Sequence, residues 1–311
     1  MLKDKNTEEK SIIAFLFILL PSLFITIGIL FFPYEPSKNI LWLYLTMFAS
    51  LFLLAIGAFL PEKKTASILK ALGWLIFAFY WATRIITLYE GEYGDFVNAF
   101  ICSAGVFVLS YMAYHEWLSI QRSEEIKCLS WIAGASALAG IIYFGVELYT
   151  PFQEWLREVV AAQSTWVLNL FAGGATVNGV GIQYLKTYVV IIFACTGIQS
   201  MVIFIGMMFP LKGVKFSRRL FGMAITVIPV YILNLLRNAL VVYLTGSGIT
   251  DFSTAHNVIA KVGSLVALVV LLVIVIKFVP EVFDEIIAIT ELPKRKGPIE
   301  KTFKKYIWRK N

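Results

Sequence analysis

Residues 187–209 read TYVVIIFACTGIQSMVIFIGMMF, and the reading of this stretch decides the fold. It is almost wholly apolar and long enough to cross a hydrocarbon core at 1.5 Å per residue, so a transmembrane helix is predicted. Its first half nevertheless carries Cys195, Thr196, Gly197, Gln199 and Ser200 in one knot. Polar groups at such depth are costly, which makes them candidates for function.

Runs of the same kind recur along the chain. Of its 311 residues, 59% are hydrophobic and only 15% charged, and the mean hydropathy is +0.78. That leaves too little polar surface for a water-soluble globule of this length. The apolar runs are continuous rather than alternating, so helices and not barrel strands satisfy the backbone in lipid. The expected fold is an all-α polytopic membrane bundle of about eight transmembrane helices. The spans are expected near 11–32, 39–60, 66–89, 96–117, 128–149, 187–209, 220–244 and 255–279. Residues 11–32 are too long for a signal-peptide core and have no small-residue cleavage site, so no cleavable signal is expected.

Residues 150–186 form the one long connection. Thr150 is placed to cap a helix, with Pro151 at its first position and Gln153 in a capping box. Glu154, Arg157 and Glu158 are too polar for hydrocarbon, whereas 159–171 is largely apolar. A helix lying at the membrane surface is predicted, ended by Gly173 and Gly174. Residues 175–184 alternate loosely and suggest an irregular or ribbon-like cap. The domains are then a five-span region, 1–149; an extracytoplasmic cap, 150–186; a three-span catalytic core, 187–279; and a basic cytoplasmic tail, 280–311.

The net charge is +7. The basic residues sit between spans or in the tail, which argues for membrane topology and against nucleic-acid binding. Twenty Lys and Arg residues, Lys70 and the tail cluster among them, fall on the side assigned to the cytoplasm; the opposite loops hold only Lys38, Arg157 and Lys186. Both termini are therefore expected inside, in the cell membrane. Cys102, Cys128 and Cys195 have no paired spacing, so neither a disulfide framework nor a metal site is indicated, and no cofactor is expected.

Depth brings three side chains to one level. Along a regular helix Cys195 lies about 12 Å below the external face and Arg237 about 10 Å, while His256 opens the eighth span. Singly each has an ordinary explanation: a small apolar thiol, as for Cys102 and Cys128, a bundle-tying arginine, an interfacial histidine. Together a cysteine, an arginine and a histidine suggest acyl transfer. Asn234 and Asn238 give the Arg237 face polar company. These two, with Thr196, Gln199 and Asn257, are candidates for binding substrate or orienting the reacting groups. His115 lies at the cytoplasmic end of the fourth span, away from this site. Lys261 is expected about 140° around a regular helix from His256. The carboxy-terminal segment reads as a lipid-facing basic patch.

ACTGIQSM around Cys195, NLLRN around Arg237 and AHNVIAKVGS around His256, in that order, resemble the exosortase/archaeosortase family, and the first string resembles its archaeosortase A branch. The resemblance covers roughly residues 184–263. It implies a membrane-embedded cysteine transpeptidase with its active site near the extracytoplasmic face. Its substrates would be surface proteins ending in a short motif, one hydrophobic helix and a basic tail. Cys195 would be the nucleophile, Arg237 the oxyanion or orienting group and His256 the general acid/base. The new carboxyl end would pass through an acyl-thioester to an amine acceptor, a membrane lipid. The alternatives are an intramembrane cysteine protease without transfer and a non-enzymatic lipid-binding or transport protein.

Overall fold

The structure, a computed structural model, describes residues 2–32, 40–91, 94 and 96–307. It is an all-α membrane bundle carrying one small sheet. In chain order the elements are α1 (Leu2–Phe31), α2 (Ile40–Phe59), α3 (Lys63–Glu90), α4 (Phe96–Arg122), α5 (Lys127–Leu148), α6 (Thr150–Phe171), β1 (Thr176–Asn178), β2 (Gly181–Tyr184), β3 (Thr187–Val190), α7 (Ile198–Met208), α8 (Phe216–Gly246), α9 (Lys261–Phe278), α10 (Glu281–Thr290) and α11 (Pro298–Ile307). Among the described residues six helices are long and apolar enough to cross a membrane, and Phe15–Phe31 and Ile198–Met208 are shorter apolar helices.

The chain forms two compact units. One holds the residues up to Ala137 and those from Glu285 on; the other holds Leu138–Asp284, so α5 contributes to both. In the first unit α1 to α4 pack through small residues: a Cβ on Gly28 of α1 would stand 2.2 Å from the Ala82 carbonyl oxygen of α3. Close backbone approach of this kind holds helices together where lipid removes the hydrophobic drive. Lys70 of α3, counted above among loop cations, is fully buried and pairs with Glu116 of α4 at 2.9 Å. Its Nζ also donates to Ser130 Oγ of α5 at 2.9 Å.

The carboxy-terminal segment is likewise not only a basic patch. Arg295 donates to the His115 carbonyl at 2.9 Å and to Ser119 Oγ at 3.1 Å, and pairs with Glu124. Glu300 of α11 accepts from Tyr111 at 2.7 Å and from Tyr114 at 2.9 Å. His115 is thus a fully buried member of this network.

In the second unit α6 lies against the sheet and α8. Val160, Ala161 and Leu168 of α6 meet Ile182 and Tyr184 of β2, and Leu235, Ala239 and Val242 of α8. Truncating a side chain such as Leu168 there costs about 2–5 kcal/mol. Thr150 does not cap α6. The helix begins one residue earlier than expected, with Tyr149 at the cap position and no side-chain cap bond. Gly173 and Gly174 do follow its end, at φ of 69° and 77°. Asn169 then ties the exit by exchanging two hydrogen bonds with the backbone of Ala175, at 2.8 and 2.9 Å.

The ribbon-like segment is an antiparallel hairpin, with Val177 opposite Ile182, and β3 completes the sheet with Ile182 opposite Val189. The stretch 187–209 is therefore not one continuous helix. Its first four residues are strand, a 3-10 turn covers Phe193–Thr196, and only Ile198–Met208 is α-helical. The depth of about 12 Å calculated for Cys195 along a helix does not apply.

Candidate active site

The turn holding Cys195 is built one bond at a time. Ile191, just past β3, donates its amide to the Val180 carbonyl at 2.9 Å, and its own carbonyl accepts from Arg157 Nε of α6 at 2.8 Å. The Cys195 amide donates to Ile192 O at 2.9 Å, and buried Thr196 returns its hydroxyl to Phe193 O at 2.7 Å. At Gly197 the chain is left-handed, φ 77°. Here glycine is required twice, since a Cβ would also come within 2.9 Å of Asn234 Cγ. The amides of Ser200 and Met201 then close on the Gly197 carbonyl and start α7.

Cys195 is 8% exposed. Its carbonyl accepts from two side chains of α8, Asn234 Nδ2 at 2.8 Å and Asn238 Nδ2 at 2.9 Å. Arg237 lies between them in sequence, and its guanidinium is close enough to act electrostatically on the Cys195 side chain. Its Nε is buried without a partner, and Arg237 makes no ion pair among the described residues. A thiol is a nucleophile only as thiolate, and an adjacent cation favours that form.

His256 sits in a wider π-helical turn, Thr254–Ala260, between the loop and α9. It is half-buried, its ring stacks on Phe252 with centroids 5.3 Å apart and planes at 10°, and Arg237 is close enough to act on it electrostatically. Lys261 acts on it too; the angle expected for Lys261 assumed a regular helix, which the π turn interrupts. The entry to this turn is capped by Asp251, whose Oδ1 accepts from the Thr254 amide at 3.0 Å and Oδ2 from its hydroxyl at 2.7 Å. Those bonds from Thr254 hold the Asp251 carboxyl below its ordinary value.

Cys195, Arg237, Asn234 and Asn238 are brought together, with His256 in electrostatic range of the arginine. The other candidates are placed otherwise. Thr196 is buried and tied to its own turn. Gln199 is exposed, because the break at Gly197 removes the helical turn expected to set it beneath Cys195. Asn257 is exposed and donates to Ser253 Oγ at 3.3 Å. Beside Arg237 a cavity of about 230 Å³ runs between α7, α8 and α9, lined among others by Ser200, Asn234, Ser264 and Leu271.

The family model for transmembrane exosortases matches residues 127–276, from α5 through α9. Archaeosortase A of Haloferax volcanii is 26% identical over 253 residues, covering 68% of this chain and 80% of that protein. Archaeosortase A of Natronomonas pharaonis is 24% identical over 252 residues, covering 70% and 77%. Over α5 to α9 the chain is similar to the exosortase/archaeosortase family. No solved structure matches it.

The matched region contains a further cation near the thiol, beyond those the sequence pointed to. Arg157 is the second cation acting on Cys195. The signal was present in the helical periodicity: Arg157 stands three, four, seven and eleven positions before Val160, Ala161, Ser164 and Leu168, all of them buried on one face of α6.

Proposed function

We propose that this protein is a membrane-embedded cysteine transpeptidase that processes the carboxy-terminal sorting signals of surface proteins. The likeness to archaeosortases supports a membrane processing enzyme of the sortase-like kind. The observation that carries the finer reading is the meeting of Cys195 with a guanidinium that has no carboxylate to neutralise it among the described residues. A buried thiol beside a balanced ion pair would be inert, whereas one beside a free cation is equipped to react.

In this reading the Cys195 sulfur attacks the scissile carbonyl carbon, and the oxyanion forms against Arg237. As the C–N bond breaks, His256 delivers to the leaving amine the proton taken from the thiol, leaving an acyl-thioester. An acceptor amine, most simply that of a membrane lipid, then attacks the thioester carbon. His256 takes the amine proton and returns it to the departing sulfur. Asn234 and Asn238 orient the nucleophile. The substrates are surface proteins with a short motif, a transmembrane helix and a basic tail. The site lies near the extracytoplasmic face of the cell membrane, with both termini in the cytoplasm.

The test is to express Cys195→Ala and wild-type protein in cells and follow a tagged surface protein ending in such a segment. Loss of cleavage and of lipid labelling in the variant is expected. Unchanged cleavage sinks the enzyme reading, and cleaved but unlabelled product in the wild type replaces transfer by hydrolysis.

A further inference from the structure

The break in the 187–209 stretch has a definable cause. In a continuous α-helix the Cys195 carbonyl would accept the amide of Gln199, four residues on. Here the same carbonyl accepts the side-chain amides of Asn234 and Asn238, at 2.8 and 2.9 Å, and both asparagines are buried, at 9% and 5% exposure. Two donors fill both lone pairs of a carbonyl oxygen, so the helical bond has no remaining acceptor. An unsatisfied buried carbonyl is costly, so the partners open to this oxygen decide which of two local conformations the turn adopts. The asparagines are one helical turn apart on α8, with Arg237 between them in sequence. The same rigid segment therefore fixes both the backbone of the cysteine and the cation at its sulfur.

We propose that Asn234 and Asn238 are positioning residues for Cys195 that act through its carbonyl: by displacing the Gln199 amide they keep the chain broken at Gly197 and hold the thiol at the Arg237 guanidinium. With both donors gone, the Gln199 amide recovers its acceptor, α7 extends backwards, and Cys195 turns away at about 100° per residue. The inference rests on the reading of Cys195 as the nucleophile. It assigns the asparagines no contact with substrate.

The experiment uses full-length protein in which Cys102 and Cys128 are replaced by Ser, so that Cys195 is the single thiol. Asn234→Ala, Asn238→Ala, the double variant and Asn238→His are compared, the imidazole Nδ1–H standing roughly where the asparagine Nδ2 does. Each is purified in detergent and checked by elution volume and thermal melting. The first readout is the pH dependence of iodoacetamide alkylation, which needs no substrate. The second is kcat and KM for processing of the tagged surface protein.

Each single alanine variant is expected to lower kcat about tenfold with KM unchanged. The double variant is expected to lose more than the product of the two, about 10³-fold or beyond, since either asparagine alone still ties the carbonyl to α8 and only the loss of both releases it to the helical bond. Its alkylation midpoint moves by about one pH unit, and Asn238→His recovers to within about threefold of the wild type. A folded double variant with an unmoved alkylation profile, or losses that simply multiply, overturns the proposal. Should the double variant not accumulate, the Asn238 pair decides, and a histidine variant no better than alanine overturns it. Alkylation separates this outcome from failure of the functional reading, which shows instead as processing that survives Cys195→Ala.

Discussion

The buried polar cluster around Glu116 and His115 and the one around Cys195 handle charge in opposite ways. In the first, Lys70 faces Glu116, and Arg295 faces Glu124. Tyr111 and Tyr114 hold Glu300 in place. In the second, Arg237 faces a thiol and no carboxylate among the described residues. A cluster that cancels its charges holds helices together; one that leaves a charge open keeps it for a ligand.

If that contrast is sound, mutation separates activity from stability. The largest effect is expected from Arg237→Ala. Processing should fall roughly 10²–10³-fold, as for loss of one oxyanion-stabilising group, while the melting temperature stays within a few degrees because no ion pair is broken. A large drop in melting temperature would place Arg237 with the structural clusters. Next comes Lys70→Ala, which leaves the Glu116 carboxylate alone in a fully buried site and should cost about 3–5 kcal/mol by denaturant unfolding. Lys70→Met with Glu116→Leu removes both charges and should restore most of that loss.

Arg295→Ala is expected to cost less, about 1.5–3 kcal/mol for its charged hydrogen bonds, and to speed proteolysis between Leu292 and Ile307. Unchanged proteolysis would show that Glu300 alone holds the segment. Asp251→Ala should have the smallest effect, faster hydrogen exchange at the amides of 252–256. Because the Asp251 carboxyl lies below its ordinary value of 3.8 in the folded chain, its contribution is present above that pH. The contribution is lost as pH falls through the depressed value, so wild-type exchange should approach that of the variant only in strong acid.

The membrane bundle was legible in the sequence because continuous apolar runs have one solution in lipid. The helix at 150–171 was legible from its proline-bearing first turn and its paired glycines. The break at Cys195 was not, since hydropathy cannot tell a buried strand from a helix. Thr187, Val189, Val190, Ile191 and Ile192 are β-branched and favoured a strand, but their partners in β2 lie outside any local window. At the site, Arg237 with Asn234 and Asn238 could be read from spacing along one helix. That the asparagines serve the Cys195 backbone could not, because the contact joins residues about 40 apart. The Lys70–Glu116 pair escaped notice for the same reason: positive charge near a span end counts as topology until its partner on another helix is seen.

The π turn at Thr254–Ala260 sets the azimuth of His256. A turn of this width accommodates one residue more than an α-helical turn, so it works as an insertion that offsets the two halves of the last crossing by about 100°. Shortening the chain by one residue there would rewind it into regular helix. The imidazole would then sweep around the axis while α9 stayed in register.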